Sequence, residues 1–117
     1  MIGSYVQAGG NLNYTNASGS SIAAGTLVIE GKIVGIAAMP IETSETGTIT
    51  TRGVFEFEKD NTTIAVGDTV YYDAENDKAT ASADNGQSGG SNKTYPAIGI
   101  ATEAAATAVT TVKVKIG

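Results

Sequence analysis

The side chains that could carry chemistry in this 117-residue sequence are carboxylates, lysines, serines, threonines and tyrosines, because the chain has no Cys and no His. Without Cys there is no thiolate nucleophile, no thiolate zinc site and no disulfide. Without His there is no Ser-His-Asp triad and no imidazole-bound metal, and the commonest general base is missing. The composition therefore predicts a protein that is not an enzyme and that holds no metal and no cofactor.

Paired carboxylates are the arrangement left for hydrolytic chemistry. Glu56 and Glu58 share one face of a predicted strand, and such a pair can serve glycoside hydrolysis. Phe55 and Phe57 alternate with them, which is the ordinary pattern of a strand with one buried and one solvated face. With two Phe and no Trp, the sequence also lacks the aromatic residues of a sugar-binding cleft. We interpret the glutamates as solvent-facing residues.

Two lysines lie in motifs that suggest other functions. Gly31 and Lys32 resemble the end of a phosphate-binding loop, but Thr26 stands where that motif requires Gly, and Ile33 stands where it requires a hydroxyl. Lys78 lies in a Glu-Asn-Asp-Lys-Ala hairpin similar to the one on which lipoyl carrier domains present their modified lysine. The polar segment 83–92 that follows does not fit the regular strands of a carrier, so we retain the carrier as a minor alternative.

The formal charge of −5 comes from seven basic and twelve acidic residues, and the basic residues form no cluster. We therefore expect no direct nucleic-acid binding. No apolar run approaches the roughly 20 residues of a membrane span, and the first residues lack the features of a secretory signal. We expect a protein made in a cytoplasm that does not bind membranes. A chain this short buries a modest core, which favours association with other copies.

The abundance of Thr, Gly, Val and Ile predicts an all-β chain, a compact β-barrel-like or β-sandwich-like single domain with short hairpins and at most one helical turn. We expect an amino-terminal strand or arm over 1–10 and one β domain over 11–117, with a flexible loop over 83–92. The predicted strands are 5–7, 11–15, 26–30, 33–39, 46–52, 53–59, 69–73, 78–81, 97–101 and 111–116. Residues 103–108 are predicted to form a turn or a single helical turn.

The alternation within these strands predicts which side chains are buried. Val112, Val114 and Ile116 should face the core while the two intervening lysines face solvent. The hairpin formed by 26–30 and 33–39 is almost continuously apolar, which predicts that both strands lie in the core. Tyr71 and Tyr72 are adjacent, so we expect one of them in the core and the other exposed.

Five segments, in this order, resemble a family of short phage proteins that are often labelled as predicted recombinases and that are similar to capsid decoration or cement proteins. They are 5–9, 53–57 with Lys59, 66–73, 97–101 and 112–116. The resemblance implies a β-barrel-like domain that assembles, commonly as homotrimers, on the capsid exterior, with the major capsid protein as its partner. A recombinase is excluded because a strand-exchange ATPase needs the phosphate-binding loop that is absent here.

Given this resemblance, we expect the chain to bind between capsomers and to stabilise the shell. Its capsid-contacting arm is predicted at Ser4, Tyr5, Val6 and Gln7, because a short terminal strand can pair with an exposed sheet edge. Tyr14 and Tyr72 are the predicted interface aromatics. A carbohydrate-binding or surface module of a phage tail or baseplate remains the alternative.

Overall fold

The computed structural model describes residues 1–5 and 7–117, and it confirms the all-β prediction. Its strands form two antiparallel sheets, one of four strands and one of five. The chain divides into two compact units, Met1–Arg52 and Gly53–Gly117, and each unit contains one of the sheets.

The first unit is built on four strands: β1 (Asn11–Thr15), β2 (Leu27–Glu30), β3 (Ile33–Ala37) and β4 (Thr46–Thr50). Their order in the sheet is β1-β4-β3-β2. Along β1 the side chains of Leu12 and Tyr14 alternate with polar residues, and this alternation turns one face of the strand toward the core. The buried residues of the core are Val28, Ala37, Ile41 and Ile49, and Leu12, Tyr14 and Ile22 pack against them.

The hairpin between β2 and β3 forms as predicted, with Gly31 and Lys32 as its two-residue turn. Gly31 has a φ of 60°, in the left-handed region that such turns require. The prediction that both strands lie entirely in the core is wrong. Ile33 is 46% exposed because it stands at the tip of the hairpin, where no other strand covers it.

The second unit is built on five strands: β5 (Gly53–Glu58), β6 (Thr69–Asp73), β7 (Lys78–Thr80), β8 (Ala97–Ala101) and β9 (Thr111–Ile116). The sheet order is β5-β9-β8-β6-β7, and an isolated parallel bridge joins Lys59, just after β5, to Ala79 of β7. Val112, Val114 and Ile116 are buried, while the lysines between them are exposed. The alternation predicted for β9 is confirmed.

Residues 83–92 form a largely exposed loop that is held by hydrogen bonds within the loop and near its ends. Asp84 bridges to Thr94, and a 3₁₀ turn spans Gly89–Ser91. Within the loop, the side chain of Asn85 donates to the Ser91 carbonyl at 3.0 Å. Flexibility of this loop stays a prediction. Of the two alternatives predicted for 103–108, the structure shows a turn and no helix: the N–H of Val109 donates to the carbonyl of Ala106 at 3.0 Å, and Ala105 bridges to Ile64.

The predicted strand at 5–7 is absent from the described part of the segment. Tyr5 and Gln7 belong to no strand, and Val6 lies outside the described residues. Residues of this composition form a strand when a neighbouring strand accepts their backbone hydrogen bonds. Among the described residues, no strand pairs with this segment.

Both units contain the same arrangement of four strands. The order β1-β4-β3-β2 in the first unit corresponds to β5-β9-β8-β6 in the second, and all neighbours are antiparallel in both. Strand β1 therefore corresponds to β5, β2 to β6, β3 to β8 and β4 to β9. The chain therefore contains an internal repeat of this four-strand unit, which was not predicted from the sequence.

The hydrogen bonds between corresponding strands repeat as well. Gly25 donates its backbone N–H to the carbonyl of Ala37 at 2.8 Å, and Gly67 donates to Ala101 at 2.9 Å. Both glycines have a φ of 86°, and each lies in the turn just before the second strand of its unit. The two turns thus impose the same left-handed conformation, which glycine adopts without strain.

The sequence trace of the repeat is clearest over residues 33–44 and 97–108, which align without a gap and share the Gly-Ile-Ala of β3 and β8. The second repeat then has one extra residue before its last strand, since Ala38 bonds to Thr48 whereas Thr102 bonds to Lys113. The two repeats differ most after their second strand. In the first unit Gly31 and Lys32 lead directly into β3. In the second unit β7 and a loop reaching residue 96 stand at the same point.

A buried polar residue follows the first strand of each unit. Asn16 follows β1 and its backbone N–H donates to the carbonyl of Glu45, just before β4. Lys59 follows β5 and donates in the same way to the carbonyl of Thr110, just before β9. Asn16 is 0% exposed and Lys59 is 5% exposed. The two residues occupy corresponding positions of the repeat.

The Asn16 side chain uses all of its hydrogen-bonding groups. Its Nδ2 donates to the carbonyls of Ser20 at 2.8 Å and Ile41 at 3.0 Å. Its Oδ1 accepts from the N–H of Ser18 at 3.0 Å and from the Ser18 hydroxyl at 2.6 Å. Because Ile41 is distant in sequence, Asn16 ties the turn after β1 to the segment that precedes β4.

The Lys59 ammonium is satisfied by backbone carbonyls. Its Nζ donates to Asp60 at 2.8 Å, to Ala106 at 3.1 Å and to Val109 at 3.1 Å. An ammonium group has three donors, so all of them are used. Lys59 therefore fixes the connection between β8 and β9 from inside.

Candidate functional site

The amino-terminal segment exposes large apolar side chains to solvent. Ile2 is 97% exposed and Tyr5 is 85% exposed, and Ser4 and Gln7 are exposed too. Of the four residues predicted for the arm, Val6 lies outside the described residues. The Gln7 side chain donates to the carbonyl of Asn11 at 3.4 Å. The segment thus presents contact-forming side chains beside β1, and its binding role stays a prediction.

Tyr14 is half-buried, because it projects from the core-facing side of β1. Its ring packs against the core of the first unit, where an aromatic side chain contributes to stability through apolar contact. The exposed residues of β1 are Asn11, Asn13 and Thr15. An interface role for Tyr14 stays a prediction, with only part of the ring available for contact.

The expected division between Tyr71 and Tyr72 is wrong, since both are half-buried. The pairing of β6 with β8 shifts register between Val70 and Tyr71, and such an irregularity disturbs the simple alternation of faces. The Tyr72 hydroxyl donates to Asp77 Oδ1 at 2.7 Å. Burial, together with the hydrogen bond to Asp77 and its charge, raises the pKa of Tyr72 to about 12. Its predicted interface role is untested.

Lys78, the residue of the carrier alternative, is engaged on the sheet. It is the first residue of β7, and its Nζ lies 2.6 Å from the carboxylate of Glu58. This hydrogen-bonded ion pair raises the pKa of Lys78 above its ordinary value. A carrier lysine has to project freely from its turn, so the position and the pairing of Lys78 both disfavour that function.

A polar cleft of about 350 Å³ lies beside the hairpin of β6 and β7. It is lined by Asp60, Asp73, Asn76, Thr80, Ser82, Asp84, Asn85, Gly86 and Tyr95. Three carboxylates, Asp60, Asp73 and Asp84, line this cleft, so it is a candidate position for an acid or a base suited to catalysis.

The carboxylates of this cleft are committed to their own turns. Asp73 is 5% exposed and accepts hydrogen bonds from Asn76 Nδ2 at 2.7 Å and from the backbone N–H of Glu75 at 2.9 Å. The bond from Asn76 is the main cause that holds the pKa of Asp73 below its ordinary value. Asp60 is partly buried, which alone would raise its pKa, but hydrogen bonds from Thr62 and Thr80 lower it overall. A general acid at neutral pH needs a raised pKa, so this pair does not provide one.

Two negative findings apply to residues 1–5 and 7–117. No group of three or more acidic side chains among them is placed to hold a metal ion. No helix among them has the length and apolar character needed to cross a membrane.

The solvent-facing side of the second sheet carries a mixed surface that sequence reasoning missed. Val54 on β5 lies opposite Lys115 on β9, which lies opposite Ile100 on β8. Val54 is 55% exposed and Ile100 is 44% exposed. Apolar side chains flanking an exposed lysine are suited to contact with another protein. The available signal was Val54 itself, an apolar residue on the face that also carries Glu56.

The molecule therefore presents exposed contact surfaces, and Asp60 and Asp73 of the cleft beside β6 and β7 are committed to structural hydrogen bonds. Comparison with known families agrees with this description: a family model described as phage cement protein matches residues 6–116. The chain belongs to the phage cement protein family. The resemblance noted in the sequence is confirmed. The chain matches no curated protein and no solved structure at the significance required.

Membership of the cement protein family gives the chain a structural role associated with a phage capsid. The family is structural rather than catalytic, which is consistent with a protein that is not an enzyme. Its location is the capsid of the virion, and its partner is a phage capsid.

Proposed function

We propose that this cement protein binds the exterior of the capsid between capsomers, contacts the major capsid protein, and stabilises the shell as a homotrimer. The observation that carries the proposal is the family match over residues 6–116. The exposed apolar side chains of the amino-terminal segment support it, because they offer contact area that the isolated molecule leaves in water.

The mechanism is adhesion. A protein that binds the closed shell but not its separated subunits stabilises the closed form by mass action, by about 2.7 kcal/mol per site at a free concentration one hundred times its dissociation constant. Many copies bound across joints between capsomers add their contributions. Internal pressure from the packaged genome then has to disrupt these contacts before the shell opens.

Residues Ser4, Tyr5, Val6 and Gln7 are the proposed capsid contact. A terminal segment of a chain can add as a strand to a sheet edge of another protein, and Tyr5, at 85% exposure, can supply an aromatic anchor. Tyr14 and Tyr72 are proposed as secondary aromatic contacts, since both rings are half-buried and part of each ring reaches solvent.

The test uses purified capsids that lack the protein. Wild-type protein, a variant without residues 1–7, and a control with Gln87 and Ser88 changed to alanine are each incubated with these capsids and sedimented. We expect the wild type and the control to co-sediment and to raise the temperature at which capsids release DNA, and the truncated variant to do neither. Unchanged binding of the truncated variant would refute the arm assignment, and absence of wild-type binding would refute the proposed function.

A further inference from the structure

Strand β2 has one free edge. It stands at the end of the sheet order β1-β4-β3-β2, and its other side pairs with β3. Ala37 donates its N–H to the carbonyl of Thr26. Because backbone groups alternate in direction along a strand, Val28 and Glu30 also direct their N–H and C=O groups toward β3. The backbone groups of Leu27 and Ile29 point the opposite way. In the part of the chain that the structure describes, no strand accepts them.

The second repeat shows how this edge can be covered. Strand β6 corresponds to β2, and its equivalent edge is paired with β7 of the same chain. In that pairing Tyr71 lies opposite Thr80 and Asp73 lies opposite Lys78. The repeated motif therefore accepts an antiparallel strand beside its second strand. In the first unit, no strand of the described residues occupies the equivalent place beside β2.

Strand β2 is short and ends in one charged residue, but it lacks the proline and the bulge that protect many exposed edges. Proteins discourage pairing at an edge with charged residues, proline, bulges or short strands. β2 has one charged residue, Glu30 at its end, and its pairing with β3 is regular along its whole length. The side chains of Leu27 and Ile29 are apolar and half-buried. The edge is thus suited to binding another strand.

The same molecule has a strand-forming segment with no sheet. Residues 1–5 are in no strand, and Ile2 and Tyr5 expose nearly their whole side chains. Isoleucine and tyrosine both favour strands, and the sequence predicts a strand at 5–7. The amino-terminal segment of one copy could therefore pair with the free edge of β2 in another copy.

We propose that the amino-terminal residues 2–7 of one copy add as an antiparallel strand to the open edge of β2 in a second copy, in the position that β7 occupies beside β6. The contact joins two different surfaces, so it is heterologous and closes into a ring when the rotation per copy permits. The inference rests on the homo-oligomer of the proposed function and explains how the copies associate. A strand has two edges, so the second edge of residues 2–7 remains open to the capsid.

The first experiment removes the acceptor edge. Ile29→Pro deletes an N–H that points away from β3, so the variant retains the hydrogen bonds within its own sheet. Asn13→Pro is the matched control, on β1, the other edge strand of the same sheet. Gly10 and Asn16 form backbone hydrogen bonds on the β4 side, so every second residue between them bonds toward β4. Asn13 is not one of these residues, and its N–H points away from β4. Ile29→Lys is a second variant that places a charge on the β2 edge without proline. Circular dichroism confirms that each variant is folded.

The readout is the mass of the protein in solution, without capsids, measured by sedimentation equilibrium over a range of concentrations. We expect the wild type and Asn13→Pro to associate, and both Ile29 variants and the truncation of residues 1–7 to associate about tenfold more weakly or worse, a change of about 1.4 kcal/mol. If the wild type associates and the folded Ile29 variants associate equally well, the inference is wrong while the homotrimer stands. If the wild type is monomeric at all concentrations, both the inference and the homotrimer are wrong, and capsid co-sedimentation still decides capsid binding separately.

A second experiment tests which segments meet. Because the chain has no Cys, Ser4→Cys and Glu30→Cys give proteins with a single thiol each. A short bis-maleimide should cross-link the two variants efficiently when they are mixed and poorly when each is alone. Equal cross-linking of each variant with itself would contradict the pairing of residues 2–7 with β2.

Discussion

Replacing Asn16 with alanine should destabilise the first unit strongly. The asparagine side chain is 0% exposed, and it makes four hydrogen bonds, two through Nδ2 to the carbonyls of Ser20 and Ile41 and two through Oδ1 from Ser18. Alanine removes all four and leaves a small cavity. The turn after β1 then loses its side-chain tie to residue 41.

The magnitude follows from what each partner does afterwards. Ser18 is exposed, so its groups can bond to water, whereas the Ile41 carbonyl keeps a bond from the Ile22 N–H at 2.9 Å but loses its second donor. A net value of about 1 kcal/mol for each bond, reduced for the two that water can replace, gives a loss of about 3 kcal/mol including the cavity. For a domain of this size that corresponds to a fall in melting temperature of about 10 °C.

Urea unfolding followed by circular dichroism measures the change in the free energy of unfolding. The matched control is Asn13→Ala, because Asn13 is an exposed asparagine on β1, and it should change stability by less than about 0.5 kcal/mol. If Asn16→Ala is no more destabilising than Asn13→Ala, the argument that the buried amide holds the turn is refuted. If the two units unfold in separate transitions, the transition of the first unit should be the one that moves.

Three further changes test the second unit. Lys59→Met keeps the length of the side chain but removes three hydrogen bonds to carbonyls, so we expect a loss of about 2 kcal/mol in urea unfolding, against little change for the exposed Lys32→Met. The pKa of Asp73 is lowered in the folded state, so its contribution to stability is present above the unfolded pKa near 3.8 and disappears as the pH falls through the folded pKa. We therefore expect Asp73→Asn to have a lower melting temperature than the wild type at pH 7. Below about pH 4 its melting temperature should vary less with pH than that of the wild type. Gly99→Ala would place a Cβ 2.3 Å from the Lys115 carbonyl oxygen, so we expect little folded protein by circular dichroism, while Gly90→Ala, with open space around it, should fold normally.

Strands with strong local alternation could be predicted from the sequence alone. The boundaries of β6 (Thr69–Asp73), β8 (Ala97–Ala101) and β9 (Thr111–Ile116) agree with the prediction, and so does the two-residue turn at Gly31 and Lys32. In these segments the pattern of neighbouring residues decides both the strand and its buried face. Residues that depend only on their neighbours are the ones that sequence reasoning places correctly.

Features that depend on distant residues could not be predicted in this way. The burial of Lys59 rests on carbonyls at Ala106 and Val109, far along the chain, and a lysine at a strand end gives no local sign of it. Tyr5 and Gln7 belong to no strand, because strand propensity alone does not form a strand without a partner. Tyr71 departs from the simple alternation because the pairing of β6 with β8 shifts register. The candidate arm was chosen because a short terminal strand can pair with an exposed sheet edge, and the contact itself stays a prediction.

The internal repeat was detectable in principle. Residues 33–44 and 97–108 align without a gap, but the match is carried by small residues such as Gly, Ala and Thr, which are common throughout this chain. Only the identical strand order and hydrogen bonds of the two units make the duplication plain.

The contrast between the two-residue turn at Gly31 and Lys32 and the long excursion at the same place in the second repeat has a practical consequence. One architecture accommodates both lengths, so the junction between β2 and β3 should accept a foreign peptide without disturbing the core. An epitope tag inserted between these two residues would turn a coat component into a display scaffold, with each copy presenting the added sequence at a hairpin tip already open to solvent.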